Sequence, residues 1–197
     1  AAGIESVEWD AVELPSQFME NWTYHEETVM GFAKHFETGE SMPKELFGRL
    51  LAAKNYRSGS AMLRQIYFGH LDMELHHYFD PSGEESVADV KERVAKTSTV
   101  VAPLAEDRFL CAFGHIFSGS YSAGYYSYKW AEVLSADAFA AFEDAGLEDA
   151  AALHAMGRKF RDTILSQGGS RHPMEVFVDF RGREPSTEAL KRHNGLL

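Results

Sequence analysis

Helical periodicity runs through almost every segment of this chain and limits its fold more than any other feature. Phe18, Trp22, His25, Val29, Phe32 and Phe36 recur at spacings of four and three. Such a stripe faces a core when the backbone is helical. It predicts one long helix, with Pro15 in its first turn and Gly39 just past its end. Pro43 opens a second helix with Leu46, Leu50 and Ala53 on one face. A third is expected from about Ser60 to Phe79, closed by Asp80-Pro81-Ser82-Gly83, and a fourth carries Val87, Val90 and Val94. The stretch from Thr97 to Asp107 reads as irregular around Pro103. Helix resumes from roughly Tyr121 to Glu143. Two more helices are expected over about Leu147 to Leu165 and Pro173 to Phe180, separated by Gly168-Gly169-Ser170, and a short one follows Ser186. No alternating strand run, repeat or long linker interrupts the pattern. The expectation is an all-α fold, one helical unit over residues 1–197.

Composition narrows the function. A hydrophobic content of 45% is ample for a core, and 25% charged residues is ordinary for a globular chain. The net charge of -11 argues against nucleic acid, whose phosphates need a basic face, and against an anionic membrane surface. No window has the apolar length of a spanning helix, and no basic stretch followed by an apolar run marks a secretory leader. Cys111 is the single cysteine, so no internal disulfide can form, which fits a reducing cytoplasm.

Two segments carry unusual chemistry. The first is Val7-Glu8-Trp9-Asp10-Ala11-Val12-Glu13-Leu14-Pro15-Ser16-Gln17-Phe18-Met19-Glu20-Asn21-Trp22. Taken alone, Glu13 near a helix start would merely complement the helix dipole. The whole segment, however, resembles the one that carries the third zinc ligand in the thimet oligopeptidase and neurolysin family. That resemblance implies the helical lobe of a larger zincin-type oligopeptidase, with Glu13 as a zinc ligand. A glutamate supplies a hard anionic oxygen beside two imidazoles. Asp10 and Glu20 share the motif; they would orient the zinc-binding histidines as hydrogen-bond acceptors, and an exposed or helix-capping role fits them equally well. In the family those histidines belong to an upstream H-E-x-x-H helix, and no such motif occurs here; His25-Glu26 begins like one but position 29 is Val. The chain is therefore expected to be the C-terminal part of a metallopeptidase, cut between its zinc ligands and inactive by itself, with its N-terminal lobe missing.

The second segment is Phe113-Gly114-His115-Ile116-Phe117-Ser118-Gly119-Ser120-Tyr121-Ser122-Ala123-Gly124-Tyr125-Tyr126-Ser127-Tyr128-Lys129-Trp130. Four tyrosines within eight residues follow a histidine and are interleaved with glycines. Glycines let a backbone approach a ligand closely, and tyrosine hydroxyls can donate to a carbonyl oxygen as it becomes negative. If the stretch is helical, Tyr121, Tyr125 and Tyr128 share one face at i, i+4 and i+7. Spacing alone allows an aromatic helix packed in a core. The family resemblance implies more: Tyr128 as the tyrosine that stabilises the tetrahedral intermediate and His115 as the histidine that assists it or binds substrate. Tyr121, Tyr125, Gly119 and Gly124 would contact the peptide substrate.

Other signals are weaker. His70, Glu74 and His77, with His76 adjacent, lie at helical spacing and could line a metal site, but no fourth group is evident and a structural role is expected. Arg181 and Arg183 are expected to pair with carboxylates. A lobe severed from its partner would also expose apolar surface, so a homo-oligomer is possible. The competing reading is a stand-alone, non-catalytic helical binding or assembly module derived from a peptidase lobe.

Overall fold

The computed structural model describes residues 3–197. Among them the fold is all-α: ten α-helices, some preceded or followed by a single turn of tighter or wider helix, and one isolated antiparallel bridge, Lys34 to Ser41. The helices are α1 Leu14–Glu20, α2 Glu26–Phe32, α3 Lys44–Ala53, α4 Ser58–Met73 and α5 Val87–Ser98. After them come α6 Phe109–Ala112, α7 Ser127–Ala145, α8 Ala150–Phe160, α9 Pro173–Arg181 and α10 Glu188–His193. They group into two compact units: the segment up to Tyr56 together with Trp130–Leu197, and Arg57–Lys129.

The first unit is organised around α7. Every residue from Val133 to Phe142 on it is buried, as expected for a helix surrounded by others. Its alanines at 136, 138, 140 and 141 let neighbours approach, and Phe139 and Phe142 fill the spaces between. Phe18 of α1 stacks on Phe160 of α8 at 4.1 Å and meets Phe142 at 5.2 Å. Full burial of one such ring contributes about 1.5–3 kcal/mol. Local signals set the helix ends. Asp149 caps α8 by accepting from the amides of Ala151 and Ala152. Pro173 opens α9, and Gly182 closes it with φ 76°.

Asp137 is the one charged group of this unit's α7 that lies fully inside, 1% exposed. Arg183 grips it with two hydrogen bonds of 2.7 Å, Arg181 donates Nε at 3.1 Å, and the Ser186 amide donates at 2.7 Å. The carboxylate expected for both arginines is thus a single residue 44 and 46 positions away. It fastens the chain beyond α9 to the central helix.

Gly169 marks another close approach. A Cβ there would collide with the backbone carbonyl of Ser6. Gly169→Ala should therefore displace the segment that leads to Trp9 and cost about 1–3 kcal/mol. Urea unfolding followed by tryptophan fluorescence tests this; an unshifted midpoint would contradict it.

The second unit packs α4 against α5 over Phe68, Leu71, Val90, Val94 and Phe113. Phe68, Phe109 and Phe113 form a ring stack at 4.3 and 5.0 Å. A reciprocal box between Ser86 and Asp89 starts α5. Lys91 reaches from α5 to the Asp107 carbonyl at 2.9 Å and secures the irregular stretch between them.

Four details depart from the periodic reading. The helix expected through residues 18–36 breaks after Tyr24, where His25 is extended (φ -94°, ψ 116°), and restarts as α2. Trp22 is held at 5.1 Å from Phe139 and 5.7 Å from Phe142, a tertiary demand that outweighs continuing the helix. Phe32 and Phe36 then fall outside the core, 64% and 90% exposed. In α3 the buried residue is Phe47, while Leu46 and Leu50 lie exposed. The tyrosine helix begins at Ser127 rather than Tyr121, because residues 119, 120 and 123 take left-handed backbone angles. Finally, His70, His76 and His77 sit where α4 widens into a π-turn, Glu74–Tyr78. There His70 lies 3.2 Å from Ser98 Oγ, and Glu74 binds Arg93 at 2.9 Å.

Candidate active site

The tyrosine-rich segment folds back on itself within the second unit. Gly114–Ile116 forms a single tight turn after α6, with Phe113 and Ile116 buried and His115 pointing outward. The chain then bends through Gly119 (φ 69°) and Ser120 (φ 64°), and again at Ala123 (φ 56°). Gly119 suits its position because its backbone is left-handed. The Ser122 hydroxyl donates to the Ile116 carbonyl at 2.9 Å, closing the loop. Gly124 is buried at the final turn, where its carbonyl accepts the Ser127 amide that starts α7.

This path gathers four rings. Tyr121 stacks on Tyr128 at 4.7 Å with the planes 15° apart. Tyr125 meets Tyr128 at 5.2 Å. His115 stands edge-on to all three, at 5.2, 5.7 and 5.8 Å. Its Nε2 lies 3.3 Å from the Tyr128 hydroxyl. The shared helix face expected for Tyr121, Tyr125 and Tyr128 does not exist, yet the loop brings the same rings together. Tyr125 is further tied by its hydroxyl, which donates to Gln65 Oε1 at 2.9 Å. Burial, and then the neighbouring Tyr128, push the Tyr125 phenol above its ordinary range, so it stays protonated as a donor. Tyr126 is exposed on another side.

The His115–Tyr128 pair has a directional consequence. With the ring proton on Nε2, His115 donates to the phenolic oxygen, and the phenol proton is left to donate outward. A donor so arranged suits an oxygen that gains negative charge during reaction.

Sequence reasoning passed over the residue that holds this loop. Asp72, on α4, is completely buried. One carboxylate oxygen accepts the Ala123 amide and the other the Tyr125 amide, each at 2.9 Å. The signal was present: Asp72 follows Leu71 and falls four residues after Phe68 and three before Leu75, a carboxylate on an otherwise apolar stripe.

Glu13 belongs to the first unit. It caps the start of α1 by position without a side-chain capping bond, and its carboxylate accepts from the Ser16 hydroxyl at 2.6 Å. It is half-buried on a largely apolar groove of about 430 Å³, formed with Val7, Val12, Pro15 and Ile164 among others. Asp10 is half-buried in the preceding short turn, Trp9–Ala11. Glu20 ends α1 and lines a different cavity with Gln17, Asn21, Tyr24 and Lys54. Lys54 lies over the Tyr24 ring at 4.4 Å, and burial lowers its ammonium pKa against the opposing pull of Glu143. Among the described residues, no three His, Cys, Asp or Glu side chains stand together as a metal site.

Among the described residues, no helix is long and apolar enough to cross a membrane. Comparison with known proteins gives the family. A model described as Peptidase family M3 matches residues 1–196. The organellar oligopeptidase A of Arabidopsis thaliana, chloroplastic/mitochondrial, is 62% identical over all of this chain and 25% of its own length. The probable cytosolic oligopeptidase A of the same plant is 60% identical over the whole chain and 28% of its own. Oligopeptidase A of Escherichia coli (strain K12) is 48% identical over 99% of the chain and 28% of its own. The chain thus spans about a quarter of the length of the curated relatives it matches. Family M3 peptidases are zinc metallopeptidases. The resemblance read from the Glu13 and tyrosine segments and the match of the family model over nearly every residue agree, and this chain belongs to peptidase family M3.

Proposed function

We propose that this chain is the part of a zinc oligopeptidase that supplies one metal ligand, Glu13, and the hydrogen-bond donors that act on the scissile carbonyl of short peptides. The observation that carries the reading is the 3.3 Å contact between His115 Nε2 and the Tyr128 hydroxyl, set among Tyr121 and Tyr125 in a member of a peptidase family. Tyr128 donates to the carbonyl oxygen as it becomes an oxyanion, and His115 fixes which way the phenol proton points. A donor of this kind contributes about 3–4 kcal/mol to the transition state. Tyr121, Tyr125 and the backbone at Gly119 and Gly124 hold the peptide. Asp10 and Glu20 orient metal-binding histidines that this sequence does not contain.

By this reading the isolated chain neither binds zinc tightly nor hydrolyses peptides. Its exposed apolar residues on α2 and α3, Phe32, Leu46, Leu50 and Leu51, are covered by the rest of the enzyme or by a second copy. The cytoplasmic placement suggested by Cys111 is part of the same proposal; the relatives named above include a cytosolic and an organellar enzyme.

The test has two arms. Calorimetric titration of the isolated chain with zinc should show no stoichiometric submicromolar site. Exchanging this chain for its counterpart in a full-length family M3 peptidase should leave an enzyme that hydrolyses short peptides. A tight site on the isolated chain, or a folded, zinc-loaded chimera without activity, would contradict the proposal.

A further inference from the structure

The buried carboxylate of Asp72 has no evident reason to be in the core of the second unit except what it holds. It is 0% exposed, on a helix stripe whose other members, Phe68 and Leu75, are apolar. Taking a carboxylate from water is costly unless its oxygens are satisfied. Here each oxygen accepts one loop amide, Ala123 on one side of Gly124 and Tyr125 on the other. His76 approaches from one helical turn along, with Nδ1 2.9 Å from Oδ1, completing the shell. Gly69, three residues earlier, lies against the same loop: a Cβ there would be in van der Waals contact with Tyr126 Cα at 3.4 Å. Helix α4 therefore offers a charged socket, and the loop backbone occupies it.

The conformation held this way is not one the loop sequence favours by itself. Ala123 adopts φ 56° and Ser120 φ 64°, left-handed angles that disfavour residues with a Cβ. Strain of that kind persists only where surrounding contacts enforce it. The Asp72 bond to Ala123 falls on one of those residues.

We propose that Asp72 is the positioning residue of the tyrosine site: its carboxylate clamps the loop through the Ala123 and Tyr125 amides and so sets Tyr121 and Tyr125 against Tyr128 and His115. Asp72 touches no substrate and acts through the loop. The catalytic consequence rests on the peptidase reading above; the clamp itself does not.

Amide hydrogen exchange on the 197-residue chain tests the clamp, and kinetics of the full-length chimera test its purpose. In Asp72→Ala the Ala123 and Tyr125 amides should exchange about 10- to 100-fold faster, the loss expected when bonds to a charged acceptor are removed, while α5 amides keep their protection. Asp72→Asn retains one acceptor oxygen and should fall between; it also serves if the alanine variant does not fold. In the chimera Asp72→Asn should lower kcat/KM at least about tenfold with zinc content unchanged, through both a lower kcat and a higher KM, because the clamped loop carries the peptide-holding Tyr121 and Tyr125 and sets them against the Tyr128 donor. Unchanged loop exchange in both variants, or exchange that rises equally across α4, α5 and the loop, overturns the clamp whatever the activity. Faster loop exchange with unaltered kcat/KM overturns the positioning role. An unsubstituted chimera that folds and binds zinc but is inactive would instead fail the peptidase reading and leave the exchange result standing.

Discussion

Asp137→Ala is expected to cost about 3–5 kcal/mol, a large share of the roughly 5–15 kcal/mol that keeps an ordinary domain folded. The carboxylate is 1% exposed and carries four hydrogen bonds, two of them from the planar fork of Arg183. Removing it takes the main partner from Arg181, whose side chain is 13% exposed and keeps only a 3.5 Å pairing with Asp144, and from Arg183, and leaves the Ser186 amide without its acceptor. The expense is the penalty of unpaired charge more than the worth of the pair itself. Trp9, Trp22 and Trp130 all lie in the first unit, so tryptophan fluorescence during urea unfolding reads this unit directly. The same site should appear in the pH dependence. Burial alone would raise the Asp137 carboxyl, but Arg183, the Ser186 amide and Arg181 outweigh it and hold the group below the usual range. Glu143 behaves likewise: its hydrogen bond from His193, followed by Arg192, lowers it from 4.5 to about 2 against the effect of burial. For groups depressed by folding, the stabilisation is complete above the unfolded value and is lost as pH falls through the folded one. The urea midpoint should therefore fall between about pH 4.5 and about pH 2, and Asp137→Asn should start lower and show a shallower acid limb. Equal midpoints for wild type and Asp137→Ala would refute the lock.

Tyr128→Phe should lower kcat of the full-length chimera by about 10²–10³ while zinc content and fold stay unchanged. Only one hydroxyl is removed. The ring keeps its stack on Tyr121 and its contact with Tyr125, so packing is preserved. KM should move little, because a donor that strengthens only as the carbonyl becomes negative acts on the transition state and not on bound substrate. His115→Ala should lower kcat less, since it orients the donor instead of supplying it. Full activity in Tyr128→Phe would remove Tyr128 from the catalytic group.

Much of the helix inventory was legible because its causes are local. The Ser86–Asp89 box, the Asp149 cap and the Pro173–Gly182 bracket each lie within a few residues of the ends they set. What periodicity could not reveal was decided by distant partners. The break at His25 follows from Trp22 meeting Phe139 and Phe142, more than a hundred residues on. The Tyr121–Tyr126 loop read as helix because its tyrosine spacing fits one, whereas its actual path depends on Asp72, fifty-odd residues earlier. Asp137 reads as a surface residue of an alanine-rich helix until Arg181 and Arg183 are known to converge on it. Of the candidate site, Glu13, His115 and Tyr128 were named through family resemblance. Their residue types alone allow a helix-start glutamate and a packed aromatic helix equally well.

The most direct measurement of the central claim is zinc binding by the full-length chimera with Glu13→Gln. Gln keeps the size of the side chain and its contact with Ser16, and removes only the charge a metal ligand needs. The expected result is a loss of zinc affinity of at least about 100-fold, more than is typical for groups that merely support a ligand, together with loss of peptide hydrolysis in a folded protein. Zinc bound as tightly as before, with hydrolysis undiminished, would contradict the assignment of Glu13 as a metal ligand.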